Sequence, residues 1–227
     1  MLGLVTPVPY LAAVVLAIAL GIALCTTARR KPGRWSFVVA RVIALVLISD
    51  AISFIVAEVV AKTWSPKTDL PLALCDAALV VAAAACWWRI PILVELTYFW
   101  GLAGTLQAVI TPDLNAGFPH LVFFQYLAGH LGIVLAALYL VVGLQIAPRP
   151  GSVLTTFAIT VAYTAAVGLV DALSGANYMF LRRPPGSWTL LKVLGPWPWY
   201  IASAAGVALV LLVLLDLPFF IARHRHG

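Results

Sequence analysis

Charged residues are scarce in this chain. Asp, Glu, Lys and Arg together make up 10% of its 227 residues, while 63% are hydrophobic. A soluble domain carries about a quarter charged residues, so this chain lacks the polar surface with which such a domain faces water. No run alternates apolar and polar residues as a half-buried strand would, no low-complexity tract breaks the chain, and no internal repeat stands out. A Gly-rich phosphate loop, a haem-ligating Cys pair and an Arg-rich voltage-sensor pattern are also missing. Cysteine is limited to Cys25, Cys75 and Cys86, an odd count that leaves at least one thiol unpaired within the chain. Cys75 and Cys86 are eleven residues apart, ~16 Å of helical rise, which forbids a bridge between them.

What is present is hydrocarbon in blocks. A bilayer core of ~30 Å takes ~20 apolar residues per helix, and blocks of about that length fall at 8–27, 36–60, 70–88, 91–110, 119–146, 152–174 and 197–221. Inside lipid every backbone N–H and C=O must be paired within its segment, so runs of this kind are helices. The expected fold is all-α: one polytopic membrane domain over residues 1–227, a bundle of seven transmembrane helices. Arg29, Arg30, Lys31 and Arg34 follow the first block and no positive charge precedes it, the reverse of a secretory signal. The positive-inside rule then puts the N-terminus outside and, after seven crossings, the C-terminus inside. The expected location is the plasma (cytoplasmic) membrane. The basic tail at 223–226 reads as a lipid anchor and not as a nucleic-acid contact.

The longest connection, from about 175 to 196, carries Asn177, Tyr178, Arg182, Arg183, Pro185, Trp188 and Lys192 and ends in Leu-Gly-Pro-Trp-Pro-Trp-Tyr, 194 to 200. Pro196 and Pro198 are expected in the first turn of the last helix, with Trp197, Trp199 and Tyr200 at headgroup level.

Ionisable groups within the blocks need a reason to be there, because each costs ~3 kcal/mol or more at mid-bilayer unless paired or hydrated. On this topology Asp50, Glu58, Asp76, Gln107, Asp113, His130 and Asp171 fall at mid-membrane or in the outer half, whereas Arg41, Glu95 and Asp216 fall nearer the inner side. Asp50, Phe54 and Glu58 share a helical stripe, as do Phe123, Tyr126 and His130. The expectation is a polar, aromatic-walled pocket opening outward. A thiol and an imidazole at similar depth, Cys75 and His130, are the minimum parts for acyl transfer. Asp50, Asp76 or Asp171 would orient the ring, with the choice open. A zinc site is disfavoured, since the ligand types recur at no ligand spacing.

The strings Leu-Pro-Leu-Ala-Leu-Cys-Asp (70 to 76), Tyr-Phe-Trp-Gly-Leu-Ala-Gly-Thr-Leu-Gln (98 to 107), Thr-Pro-Asp-Leu (111 to 114), Ala-Asn-Tyr-Met (176 to 179) and Leu-Gly-Pro-Trp-Pro-Trp-Tyr (194 to 200) resemble, in order and spacing, the YwaF-type bacterial membrane proteins and their relative transmembrane protein 164. The resemblance runs from about residue 68 to 200. It implies a seven-helix protein distantly like the androgen-induced lipid hydrolases, and a phospholipid acyltransferase with Cys75 and His130 as its catalytic pair. Trp100, Gln107, Asn177 and Tyr178 would then line the pocket, with Gln107 and Asn177 the candidate oxyanion donors. Arg182, Arg183 and Lys192 would hold a phosphate. The expected partners are membrane phospholipid or lysophospholipid, with no cofactor, no metal and no nucleic acid. The rival expectation is a non-catalytic lipid or solute binding or transport protein, with a relay through Asp50, Glu58, His130 and Asp171.

Overall fold

The computed structural model describes residues 7–112, 114, 116–184 and 190–225; Asp113, Pro185, Trp188 and His226 lie outside the described residues. Among the described residues seven long helical elements run in chain order: α1 (Pro7–Arg30), α2 (Arg34–Ala61), α3 (Leu74–Trp88), α4 (from Pro91 to Ile110), α5 (from Leu121 to Gly143), α6 (Ser152–Ser174) and α7 (Trp199–Arg225). There are no strands among the described residues. All except α3 are long and apolar enough to cross a membrane. Leu11, Val15, Leu16, Ile18 and Ile22 on α1 are more than half exposed, and α2, α6 and α7 show similar faces. Water would not tolerate so much continuous apolar surface, but lipid tails do.

The bundle is built around α3, α4 and α5. Half or more of the membrane-spanning windows of α4 and α5 is buried, against 6% for α7. Those two helices therefore hold the interior and α1, α6 and α7 flank it. α3 packs against α2, α4 and α5 and turns Ala78, Ala82, Ala83 and Ala85 into the core. Side chains this small let helices approach closely, the main source of affinity between helices in lipid.

Sequence reading starts the third helix at 70, whereas the structure starts it at Leu74. Its 15 residues rise only ~22 Å. Residues 70–73 instead form a non-helical strap. Irregular backbone is stable at depth only where protein satisfies it, and here distant side chains do so. Tyr178 Oη accepts the Leu70 N–H at 2.9 Å, Tyr163 Oη donates to the Leu72 carbonyl at 3.0 Å, and Asp76 Oδ2 accepts the Ala73 N–H at 3.1 Å. The last helix likewise begins at Trp199, so Pro196 and Pro198 precede its first turn and only their carbonyls enter it, accepting the Tyr200 and Ile201 N–H groups.

α4 is interrupted by a π-helical turn, Trp100–Thr105, and α5 ends in one, Tyr139–Gly143. Such turns widen a helix by one residue and gather at functional sites. The first approaches α5 closely at Gly101, where a Cβ would lie 3.1 Å from Ala137 Cβ and 3.4 Å from Ile133 Cγ2. Neither neighbour is a flexible chain end that can swing away. Gly101→Leu is accordingly expected to separate α4 from α5 and destabilise the bundle by about 2–3 kcal/mol, read as a lower melting temperature in detergent; an unchanged melting temperature would show that the contact is not limiting.

Candidate functional site

Cys75 is the second residue of α3. Helix geometry leaves the first N–H groups of an α-helix without partners in the helix itself, so this turn is where an anion, a thiolate included, is best accommodated. The strap just described fixes that turn in space. Beside the thiol lies the hydroxyl of Thr105, the last residue of the π turn, 1% exposed. Thr105 Oγ1 is buried and forms no full hydrogen bond. The neighbour this hydroxyl has is the sulfur expected to do the chemistry.

His130 sits on the third turn of α5. Its Nδ1 is 2.8 Å from the Tyr126 carbonyl. A carbonyl can only accept, so Nδ1 carries the proton and Nε2 keeps its lone pair. The imidazole stacks on the Tyr126 ring, with centroids 4.1 Å apart, and Tyr126 Oη donates to the Ala108 carbonyl at 2.7 Å. Thr105 and Ala108 are one turn apart on α4. Cys75 and His130 are thus both referenced to the same stretch of α4, one through Thr105 and the other through Tyr126. No hydrogen bond joins the thiol to the imidazole.

The other residues expected at the site are placed as follows. The ring is oriented by a backbone carbonyl and not by a carboxylate. Asp76 caps the Ala73 N–H, and Asp171, fully buried, accepts the Tyr178 N–H at 2.9 Å across the end of α6. Its other oxygen, Oδ2, has no partner. Asp50 approaches α5 from α2, since a Cβ on Gly129 would lie 2.9 Å from its Oδ2, and it lines a lateral recess of about 440 Å³ with Ser49 and Ser53. Ser53 in turn accepts from Gln125 Nε2.

Trp100 is buried and donates to Thr160 Oγ1 at 2.8 Å, so it packs α4 against α6. Tyr178, just past the end of α6, pins the strap and also donates to the Pro66 carbonyl at 3.0 Å. Burial raises its pKa, as do the nearby Asp69, Asp171 and Asp76, so it stays a neutral phenol. Asn177 is committed to its own loop: Oδ1 accepts the Arg182 and Arg183 N–H groups and Nδ2 donates to the Arg183 carbonyl. Gln107 is exposed on its helix, as are Arg182, Arg183 and Lys192 on the connection to α7.

A second recess, about 380 Å³, is lined by Ile55, Val59 and Trp64 together with Asp69, Leu70 and Pro71, the last two on the strap leading to Cys75. Neither recess is lined by Cys75 or His130. The four residues of the expected relay are engaged separately: Glu58 accepts from Thr63 Oγ1 at 2.6 Å, and no hydrogen-bonded chain connects it to Asp50, His130 or Asp171 among the described residues. Thr105 escaped sequence reading because a lone Thr in an apolar helix carries no signal. The two glycines of the π turn, Gly101 and Gly104, are the available hint in the sequence.

A model described as the TMEM164 family matches residues 2–216. The chain is also similar to an uncharacterized protein of Treponema pallidum (strain Nichols), 27% identical over 165 residues, 72% of this chain and 66% of that protein. The match thus spans just under two thirds of the relative's length. No solved structure matches the chain.

Proposed function

Because the chain belongs to the TMEM164 family, we propose that it is a membrane-embedded lipid acyltransferase or transacylase that works through a Cys75 thioester. The observation that carries this reading is the arrangement around the π turn: a thiol in the first turn of a helix, a buried hydroxyl with no full hydrogen bond beside it, and an imidazole whose Nε2 is left as the base.

His130 Nε2 takes the Cys75 proton and the thiolate attacks the ester carbonyl of a phospholipid. The ester C–O bond breaks, His130 returns the proton to the leaving alkoxide, and lysophospholipid departs. A second hydroxyl, from a lysolipid or water, then gives its proton to His130 and attacks the thioester carbonyl. The S–C bond breaks and the sulfur recovers the proton. Catalytic hydrogen bonds are often long before the substrate is in place and tighten with it, so a side-chain rotation that brings Nε2 to Sγ is part of the proposal. The oxyanion of each step is held by the Leu74 and Cys75 N–H groups and the Thr105 hydroxyl. On the topology expected from the charge distribution the site faces outward, so a phospholipid is the donor in place of cytosolic acyl-CoA, and Arg182, Arg183 and Lys192 hold its phosphate.

The test is purified protein incubated with phospholipid tagged on its acyl chain. The protein should acquire the tag as a thioester, released by neutral hydroxylamine. Turnover without such an adduct would point to another nucleophile, and no turnover at all would remove the enzymatic reading. Thr105→Val is expected to slow transfer by about 10²-fold, the scale of one oxyanion donor, while leaving the melting temperature unchanged or raised. Full activity in that variant would take Thr105 out of the site.

A further inference from the structure

At the opposite end of α3 from Cys75, two cations sit with no counter-charge. Arg89 closes α3 in the left-handed conformation, φ 56°, a position most often given to glycine. Its guanidinium carbon lies 4.7 Å from the Phe37 ring centroid. Arg41, one turn along α2 from Phe37, lies 5.6 Å from the Trp87 ring centroid. Two guanidinium groups and two half-exposed rings therefore share one face where α2 and α3 meet.

Ring faces give a cation a platform, not a full set of acceptors. Arg89 Nη1 is buried and has no hydrogen-bond partner. The chain holds eight Asp and Glu residues. Among the described residues the only ion pairs are Glu95 with Arg149 and Asp216 with Arg223. Asp50, the acidic residue nearest Arg41 in sequence, is nine residues further along α2, ~13 Å of rise.

We infer that Arg41 and Arg89 form a phosphate-binding site, and that a phospholipid headgroup of the leaflet at this end of the bundle fills it. The planar fork of a guanidinium matches phosphate oxygens two at a time, and a guanidinium stacked on an aromatic ring keeps its N–H edge free for them. Trp88, which is 63% exposed beside this face, places a ring at the level where headgroup meets acyl chain. The same chemistry would take the phosphate of a soluble molecule, and the two sources are separable.

The experiment is native mass spectrometry of purified protein given equal phosphatidylglycerol and diacylglycerol, which differ in the phosphoglycerol headgroup. Wild type should retain phosphatidylglycerol by about tenfold or more over diacylglycerol, and Arg41→Gln with Arg89→Gln should lower that ratio about threefold or more, the preference that remains being carried by Arg182, Arg183 and Lys192. Arg89→Lys, which keeps the charge but not the fork, should fall between. If millimolar inorganic phosphate displaces the lipid, the phosphate site stands and accepts soluble ligands as well; if it does not, the lipid is the ligand. Equal retention of the two lipids by wild type overturns the proposal whether or not the variants fold. So does a preference for phosphatidylglycerol that the double variant keeps in full.

Discussion

Cys75→Ala is expected to abolish acyl transfer, by about 10³-fold or more in kcat/KM, and with it the hydroxylamine-labile adduct. A group that forms the covalent intermediate has no substitute, since residual rates come only from binding and oxyanion stabilisation. The fold should survive the change. Cys75 is half-buried at the outset of its helix, and the hydrogen bonds that hold the strap run through the Leu70, Leu72 and Ala73 backbone and not through the thiol. His130→Ala should cost about 10²–10⁴-fold, and the two losses together should be no greater than that of Cys75→Ala alone, because groups that act as a unit are not additive. Transfer that persists in both single variants would exclude this pair. Losses that multiply would mean that the two residues act on separate steps.

The bundle was legible because its main constraint is the solvent: lipid dictates length and apolarity, and both can be counted. The strap before Cys75 was not. Pro71 hinted that the helix could not begin at 70, but what makes a non-helical segment stable there is Tyr163 and Tyr178, roughly a hundred residues away in sequence. Two of the three carboxylates read as candidates to orient His130, Asp76 and Asp171, had a simpler signal. Asp76 falls on the third residue of its helix, where a carboxylate reaches back to the cap N–H, and Asp171 stands four residues before Gly175, whose φ of 77° ends α6. The imidazole needs neither, because a His on a helix can bond the carbonyl four residues earlier, and Tyr126 supplies it. Cys75 itself was legible only as a chemical type and through its surrounding motif; its helix-start position and its Thr105 neighbour emerge only once α3 and the π turn are in place.

The second large effect is expected at the other end of α4, where Arg149 and Glu95 form a bidentate pair, Nε to Oε1 at 2.7 Å and Nη2 to Oε2 at 3.0 Å, with the Arg149 N–H also donating to Oε1 at 3.0 Å. The partners are not equivalent: the Glu95 side chain is 3% exposed and that of Arg149 57%. Removing the arginine strands a buried carboxylate with only one backbone donor, which is the costlier of the two changes. Removing the charge of the glutamate frees an arginine that water and headgroups already reach, and Gln can still accept the Arg149 N–H, so the loss should be nearer 1 kcal/mol. The order of stability in detergent is therefore wild type, then Glu95→Gln, then Arg149→Met. Adding Glu95→Gln to Arg149→Met should restore part of what the arginine variant lost. The connection after α5 is held a second time, by Arg223, which pairs with Asp216 at 2.8 Å and donates to the Pro148 carbonyl at 3.2 Å. That second tie should limit the damage to a lower melting temperature, without loss of the fold. A glutamate variant as unstable as the arginine variant would mean that the carboxylate is stabilised by something other than its partner's charge.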